Sequence, residues 1–185
     1  LTLTVTETWT FGPVRGWGNG MIIQTPDKKV FLYDAGLKVT NYDGDDVKER
    51  NYPDTYFDGG KDIIGPFLRA QRIDTIDGIL ISHSHADHFG GFEYLMDHFK
   101  VLHLYDSGIP IERSFTSNRY YDKVLKPKYI ALGGEYTTLI SGNTLSWGEY
   151  VKLEILSPPK GYIPIDSSHY VPEDPLGHHD PNLNS

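Results

Sequence analysis

The sequence predicts an α/β domain, and three stretches carry that prediction. Ile76–Ser82 is a short apolar run with Ile76, Ile79, Leu80 and Ile81, of the length and composition of a buried strand. From about Gly91 to Phe99 the period becomes helical, placing Phe92, Leu95, Met96 and Phe99 on one face. Val101–Tyr105 then returns to strand character. Strand and helix therefore interleave through the middle of the chain.

The remaining elements extend this pattern. Thr2–Thr8 alternates in β-prone residues and reads as a strand. Met21–Thr25 and Val30–Tyr33 flank Pro26-Asp27-Lys28-Lys29, a turn composition, and form a hairpin that ends at Asp34-Ala35-Gly36. Residues 37–60 are acidic and rich in Gly, Asp and Tyr, which predicts a long irregular loop. With Tyr42, Tyr52, Tyr56 and Phe57 among its acidic residues, that loop is expected to be a mobile flap beside a site; a packed excursion is the alternative. Asp62 can cap a helix that buries Ile63, Ile64, Phe67 and Leu68, with Pro66 in its first turn. A capped helix is expected over Ser117–Leu125, strands over Thr137–Ile140 and Val151–Leu156, and loop over 157–181.

A chain of 185 residues is long enough for one domain with a core, and no repeat or linker divides residues 1–185. Hydrophobic residues at 38% and charged residues at 23% fit a folded globular protein rather than a disordered one. No apolar run approaches the ~18 residues that a membrane helix needs. The chain opens at Leu1 without Met or a signal peptide, so an upstream segment is expected to have been removed. A net charge of −8 argues against nonspecific grip on a nucleic-acid backbone, but it does not exclude a phosphodiesterase whose metal supplies positive charge. There are no Cys residues, so any zinc must be held by His and carboxylate.

The chemistry concentrates in Ile81-Ser82-His83-Ser84-His85-Ala86-Asp87-His88-Phe89-Gly90-Gly91. In an extended segment, side chains two apart point the same way, so His83 and His85 can present imidazoles to one metal. The chain then turns into a helix, which swings Asp87 and His88 to a neighbouring position. Ser84 and Ala86 are small and leave room, and Gly90-Gly91 permits a tight turn. The motif follows a buried strand and precedes a helix, where functional loops concentrate.

His83-Ser84-His85-Ala86-Asp87-His88 resembles the HxHxDH signature of the metallo-β-lactamase superfamily. More narrowly, the chain resembles the metallo-hydrolase domain of ComEC-like competence proteins and the related phosphorylcholine esterases. Gly18-Asn19-Gly20-Met21-Ile22-Ile23-Gln24-Thr25-Pro26 is similar to their early glycine-rich turn and strand, and Phe31-Leu32-Tyr33-Asp34-Ala35-Gly36 to the first Asp motif. Leu156-Ser157-Pro158-Pro159 and Asn182-Leu183-Asn184-Ser185 resemble later landmarks, in the same order. The resemblance implies an αββα sandwich with two zinc ions, Mn2+ or Fe being alternatives. His83 and His85 would bind the first ion, Asp87 and His88 the second, and Asp34 would orient the site by hydrogen bonds. A strand-ending turn is the plainer role for Asp34. Asn19 stands where many ComEC-like domains carry Asp and receives no role.

The implied reaction is hydrolysis of a phosphodiester, in nucleic acid or a smaller phosphoester, by hydroxide held at the metal pair, with Asp87 positioning the nucleophile and helping to move its proton. A lactone, thioester or amide hydrolase is the rival within enzymes, and a non-catalytic binding module with a degenerate metal site the rival outside them. Family members continue past the last landmark with a bridging Asp and a further His. Four ligands cannot complete two zinc shells, so a C-terminal remainder of the same domain is expected as a partner, a second polypeptide being the alternative, and residues 1–185 alone are expected to bind metal weakly and turn over little substrate. The resemblance also favours an extracytoplasmic or secreted location. His169, His178 and His179, the last two beside Asp180, are fallback ligands; His98 and His103 read as structural. Tyr120, Tyr121 and Lys123 either line a substrate pocket or belong to the core.

Overall fold

A computed structural model describes residues 2–9, 17–40, 55–109 and 120–161. Strands β1 (Thr2–Trp9), β2 (Trp17–Gln24) and β3 (Val30–Ala35) form an antiparallel meander. Beside β3 run β7 (Gly78–Leu80), β9 (His103–Asp106) and β10 (Glu135–Thr138), all parallel, giving the sheet order β1-β2-β3-β7-β9-β10. The crossovers are helical. Gly60–Ile64 leads into α1 (Gly65–Ala70) before β7; α2 (Ala86–Phe89) and α3 (Phe92–His98) precede β9; Tyr121–Leu125 leads into α4 (Lys126–Ala131) before β10. The α/β expectation therefore holds.

Sheet register sorts the strand side chains into two faces, because successive residues of a strand alternate. Ile22, Leu32, Ile79 and Leu104 are cross-strand neighbours, none has exposed surface, and they meet Ile64, Leu68, Phe92, Leu95 and Leu125 from the helices. The opposite face carries Phe31, Tyr33, Gly78, Leu80 and Tyr105. Gly78 is forced there: a Cβ would press on the rings of Tyr105 and Phe31. A hairpin of β11 (Thr144–Trp147) and β12 (Val151–Glu154) reaches this face through Trp147, whose ring stacks on Phe31 at 4.6 Å.

Several expectations are corrected. Asp77 interrupts the expected strand Ile76–Ser82, leaving Thr75–Ile76 (β6) to pair with Lys100–Val101 (β8) outside the main sheet. Part of the expected irregular loop is regular: Lys38–Thr40 (β4) pairs with Thr55–Asp58 (β5). Residues 41–54, the body of the expected flap, lie outside the described residues. Strand β11 lies outside the expected elements, although Leu145 and Trp147 alternate with Thr144 and Ser146 along it.

Asp62 does not cap its helix from outside. The helix starts a turn earlier, Asp58 Oδ1 accepts the Lys61 N–H at 3.0 Å, and Asp62 Oδ2 reaches back to the Asp58 N–H at 2.9 Å. Pro66 consequently falls inside the helix, which opens into a π-helical turn before it; Gly65 N–H bonds Gly60 O, five residues back. The same happens before Pro127, where Lys126 N–H bonds Tyr121 O. A proline ring clashes with the carbonyl four residues earlier, and widening the preceding turn relieves that clash.

Candidate metal centre

The parallel strands β3, β7 and β9 end together, and ligands of open α/β sheets bind beyond such carboxyl ends. Beyond β7, the Ile81 N–H still bonds Tyr105 O at 2.8 Å, and the chain then leaves the sheet as Ser82–His85. His85 has extended backbone, φ −89° and ψ 145°, and starts α2, which carries Asp87 and His88. The strand-to-helix switch expected of the motif is thus present.

Asp34 lies at the end of β3 with no exposed surface and with φ 58°, in the left-handed region. Such a backbone is uncommon outside glycine and marks a position held by its surroundings. Its Oδ1 accepts the Ser82 N–H at 2.7 Å, and its Oδ2 accepts the Ser82 hydroxyl at 2.9 Å and faces His88 Nδ1 at 2.7 Å. These contacts tie the β3 end to both Ser82 and His88. Ser82 is the residue that sequence reasoning missed: its hydroxyl also lies 3.0 Å from His83 Nδ1 and 3.2 Å from His88 Nδ1. Its only sequence signal is its place directly before the first motif histidine.

The motif side chains meet in pairs. His83 Nε2 and His85 Nδ1 are 2.8 Å apart, and the His83 ring centroid lies 4.0 Å from that of His88. His88 Nε2 and Asp87 Oδ2 are 3.5 Å apart. Two donors on one tetrahedral zinc, each at about 2.0–2.2 Å, lie roughly 3.3–3.6 Å from each other. The Asp87–His88 pair matches that separation. His83 and His85 instead share a hydrogen bond across a shorter gap, so their nitrogens must part slightly to face one ion. Among the described residues no set of three or more His, Cys, Asp or Glu is arranged to hold a metal ion. The donor types, imidazole nitrogen and carboxylate oxygen, are those that suit a divalent metal ion.

Electrostatics separates the histidines. Burial, with His88 and His85 beside it, pushes the His83 pKa below the ordinary histidine value, which keeps an imidazole lone pair available. Burial opposes charge on His88 too, but the hydrogen bond and charge of Asp34 outweigh it and raise the His88 pKa. Ser84, expected to leave room, is buried, and its hydroxyl has no partner among the described residues.

The other candidates lie apart. His98 Nδ1 meets Tyr94 O at 2.9 Å within α3, and His103 Nε2 meets Thr137 Oγ1 at 2.8 Å across β9 and β10. His169, His178 and His179 lie outside the described residues. Tyr121 belongs to the core, whereas Tyr120 is exposed and donates its hydroxyl to Glu93 at 2.9 Å. Burial and the Glu93 carboxylate push the Tyr120 pKa up to about 12, so it stays a hydrogen-bond donor.

The fold thus carries a histidine-rich loop at the carboxyl end of a parallel sheet. The metallo-beta-lactamase superfamily model matches residues 16–130, more than half of the chain, and the chain belongs to that superfamily. Its members are mostly metal-dependent hydrolases. The chain is 30% identical over 112 residues to ComE operon protein 3 of Bacillus subtilis (strain 168), covering 60% of this chain and 13% of that protein. It is 31% identical over 110 residues to Ribonuclease J of Helicobacter pylori (strain ATCC 700392 / 26695), covering 59% of this chain and 14% of that protein. The chain thus spans a small fraction of the length of these relatives. A solved structure described as a new diphosphatase from the PhnP family aligns with 78% of this chain and 52% of its own, at 16% identity and a TM-score of 0.42.

Proposed function

We propose that this domain is a metal-dependent phosphodiesterase, with His83 and His85 binding one divalent ion and Asp87 and His88 a second. The observation that supports it best is the buried Asp34 carboxylate behind the motif, bonded to Ser82 and His88, with the remaining imidazole and carboxylate donors paired in front. Imidazole nitrogen and carboxylate oxygen suit zinc, and also manganese or iron. When bound, the metal pair supplies Lewis acidity and lowers the pKa of water toward neutrality.

The chain's own residues do the rest. Asp34 keeps a proton on His88 Nδ1 and leaves Nε2 as the donor atom. The Asp87 carboxylate, 38% exposed, would position the attacking water and help move its proton. The likeness to Ribonuclease J, a protein named for acting on RNA, supports a phosphodiester over a lactone or thioester. The remaining donors come from outside the described residues, which keeps His169, His178 and His179 as candidates beside any longer chain.

Elemental analysis of the intact protein tests the reading. Close to two zinc-like ions per chain are expected, lost together with bis-p-nitrophenyl phosphate turnover in the His83→Ala/His85→Ala double variant. Unchanged metal content in that variant, or lactone turnover without phosphodiester turnover, refutes it.

A further inference from the structure

A second buried carboxylate lies in the same row as Asp34. The pairs Tyr33↔Leu80 and Leu80↔Tyr105 make Asp34, Ile81 and Asp106 the next residues on three adjacent parallel strands. Asp34 has no exposed surface and Asp106 only 5%, so two carboxylates flank the residue from which the histidine loop departs.

Asp106 is fully bonded. Its Oδ2 accepts the Tyr121 hydroxyl at 2.8 Å and Lys126 Nζ at 3.1 Å; its Oδ1 accepts the Tyr136 hydroxyl and the Gly108 N–H, each at 2.6 Å. Lys126 also bonds Asp122 at 2.9 Å. Buried ionic networks add little net stability compared with apolar packing, and their best-attested use is to fix one geometry among several. What this network fixes is the Tyr121 ring, which lies 5.3 Å from Phe89 and 6.3 Å from Phe92 between centroids. Phe89 is the last residue of α2, the helix that carries Asp87 and His88.

We infer that Asp106 and Tyr121 are positioning residues for the motif helix. Asp34 ties His88 and Ser82 from the β3 side by hydrogen bonds. Asp106 ties the opposite side by holding Tyr121 as the wall on which Phe89 seats. The consequence for metal affinity rests on the hydrolase reading above; the anchoring of α2 does not.

The test is amide hydrogen exchange on the full chain without metal, together with zinc affinity by chelator competition, comparing wild type with Tyr121→Phe. That substitution keeps the ring and removes only the hydroxyl. The reporters are the amides of His88, Phe89 and Gly90, bonded within the loop and α2 to His85 O and Ala86 O. Their exchange is expected to quicken about tenfold while the Ile81 amide, bonded to Tyr105 O, keeps its rate. Zinc affinity should weaken by about tenfold. A lower melting temperature with unchanged exchange at residues 88–90, or a uniform increase that includes Ile81, overturns the inference and leaves Tyr121 an ordinary core residue. Asp106→Asn carries the same expectations if Tyr121→Phe does not fold. If wild type binds no zinc, the hydrolase reading fails, and exchange in the metal-free protein still decides the positioning role.

Discussion

Asp34 combines a left-handed backbone with complete burial, two conditions that a non-glycine carboxylate residue meets only when its neighbours compensate. Its three contacts to Ser82 and His88 supply that compensation, so its removal should be felt at the proposed metal site more than in the fold. Asp34→Asn tolerates the same φ and can still accept the Ser82 N–H, but an amide NH2 facing His88 Nδ1 favours the other tautomer. Zinc affinity of that variant, measured by chelator competition, should fall about 10–100-fold. Glu93 gives a pH-dependent case. Burial opposes its ionisation, but hydrogen bonds from Lys38 at 2.8 Å and Tyr120 at 2.9 Å win, so its pKa lies below the ordinary 4.5. Its stabilisation is therefore present above pH 4.5 and is lost as pH falls through the depressed folded-state value. Glu93→Gln should flatten that part of the acid-unfolding curve, and solvent screening keeps its neutral-pH cost under about 1 kcal/mol. At this scale Asp34 was legible because it ends a recognisable strand motif. Ser82 was not, because nothing in a lone serine says that a carboxylate from another strand will meet it.

Two helical crossovers meet the end of β3 where glycines let backbones touch. A Cβ on Gly91 would strike Ala35 O and Gly60 N, and one on Gly60 would strike Gly91 O. The Gly91 N–H also bonds Gly36 O at 3.2 Å, and Gly36 bridges Phe89 in parallel fashion. These approaches hold α2 and α3 against the strand end that bears Asp34. Gly91→Ala should cost about 1–3 kcal/mol or more, because the opposing atoms are backbone and cannot rotate away. Denaturant unfolding measures this directly, and a loss under 0.5 kcal/mol, taken as roughly the background of surface substitutions, would contradict it. Gly90-Gly91 was legible as a tight turn; its contact with Gly60 was not, since the two glycines belong to different crossovers. The same limit explains the helix starts. Periodicity located the buried Ile64, Leu68, Phe92 and Leu95, but the prolines shifted the boundaries by opening π-helical turns.

At the scale of the whole molecule the two sheet faces differ. Helices cover one face, while the other meets the β11–β12 hairpin through Trp147 and leaves Tyr33 40% exposed. Trp147 is 1% exposed, so Trp147→Ala should remove about 3–5 kcal/mol, read as a lower melting temperature with the order of the β1–β10 sheet retained. A near-neutral result would mean that the hairpin is not docked on Phe31. Such a result would leave the proposed metal site untouched, because Phe31 and Trp147 belong to the face away from Asp34 and Asp106. By itself the sequence determined the α/β class and the covered faces of the helices, and it gathered His83, His85, Asp87 and His88 into one strand-to-helix loop, because all of these follow from spacing within one strand, loop or helix. Tertiary structure alone decided that Asp34 bonds both Ser82 and His88, the latter 54 positions away, and that Asp106 reaches Tyr121, 15 positions on. It also decided that Gly60 and Gly91 touch. The physical reason is register: side chains far apart in the chain become neighbours only once parallel strands align, and no local propensity encodes that alignment.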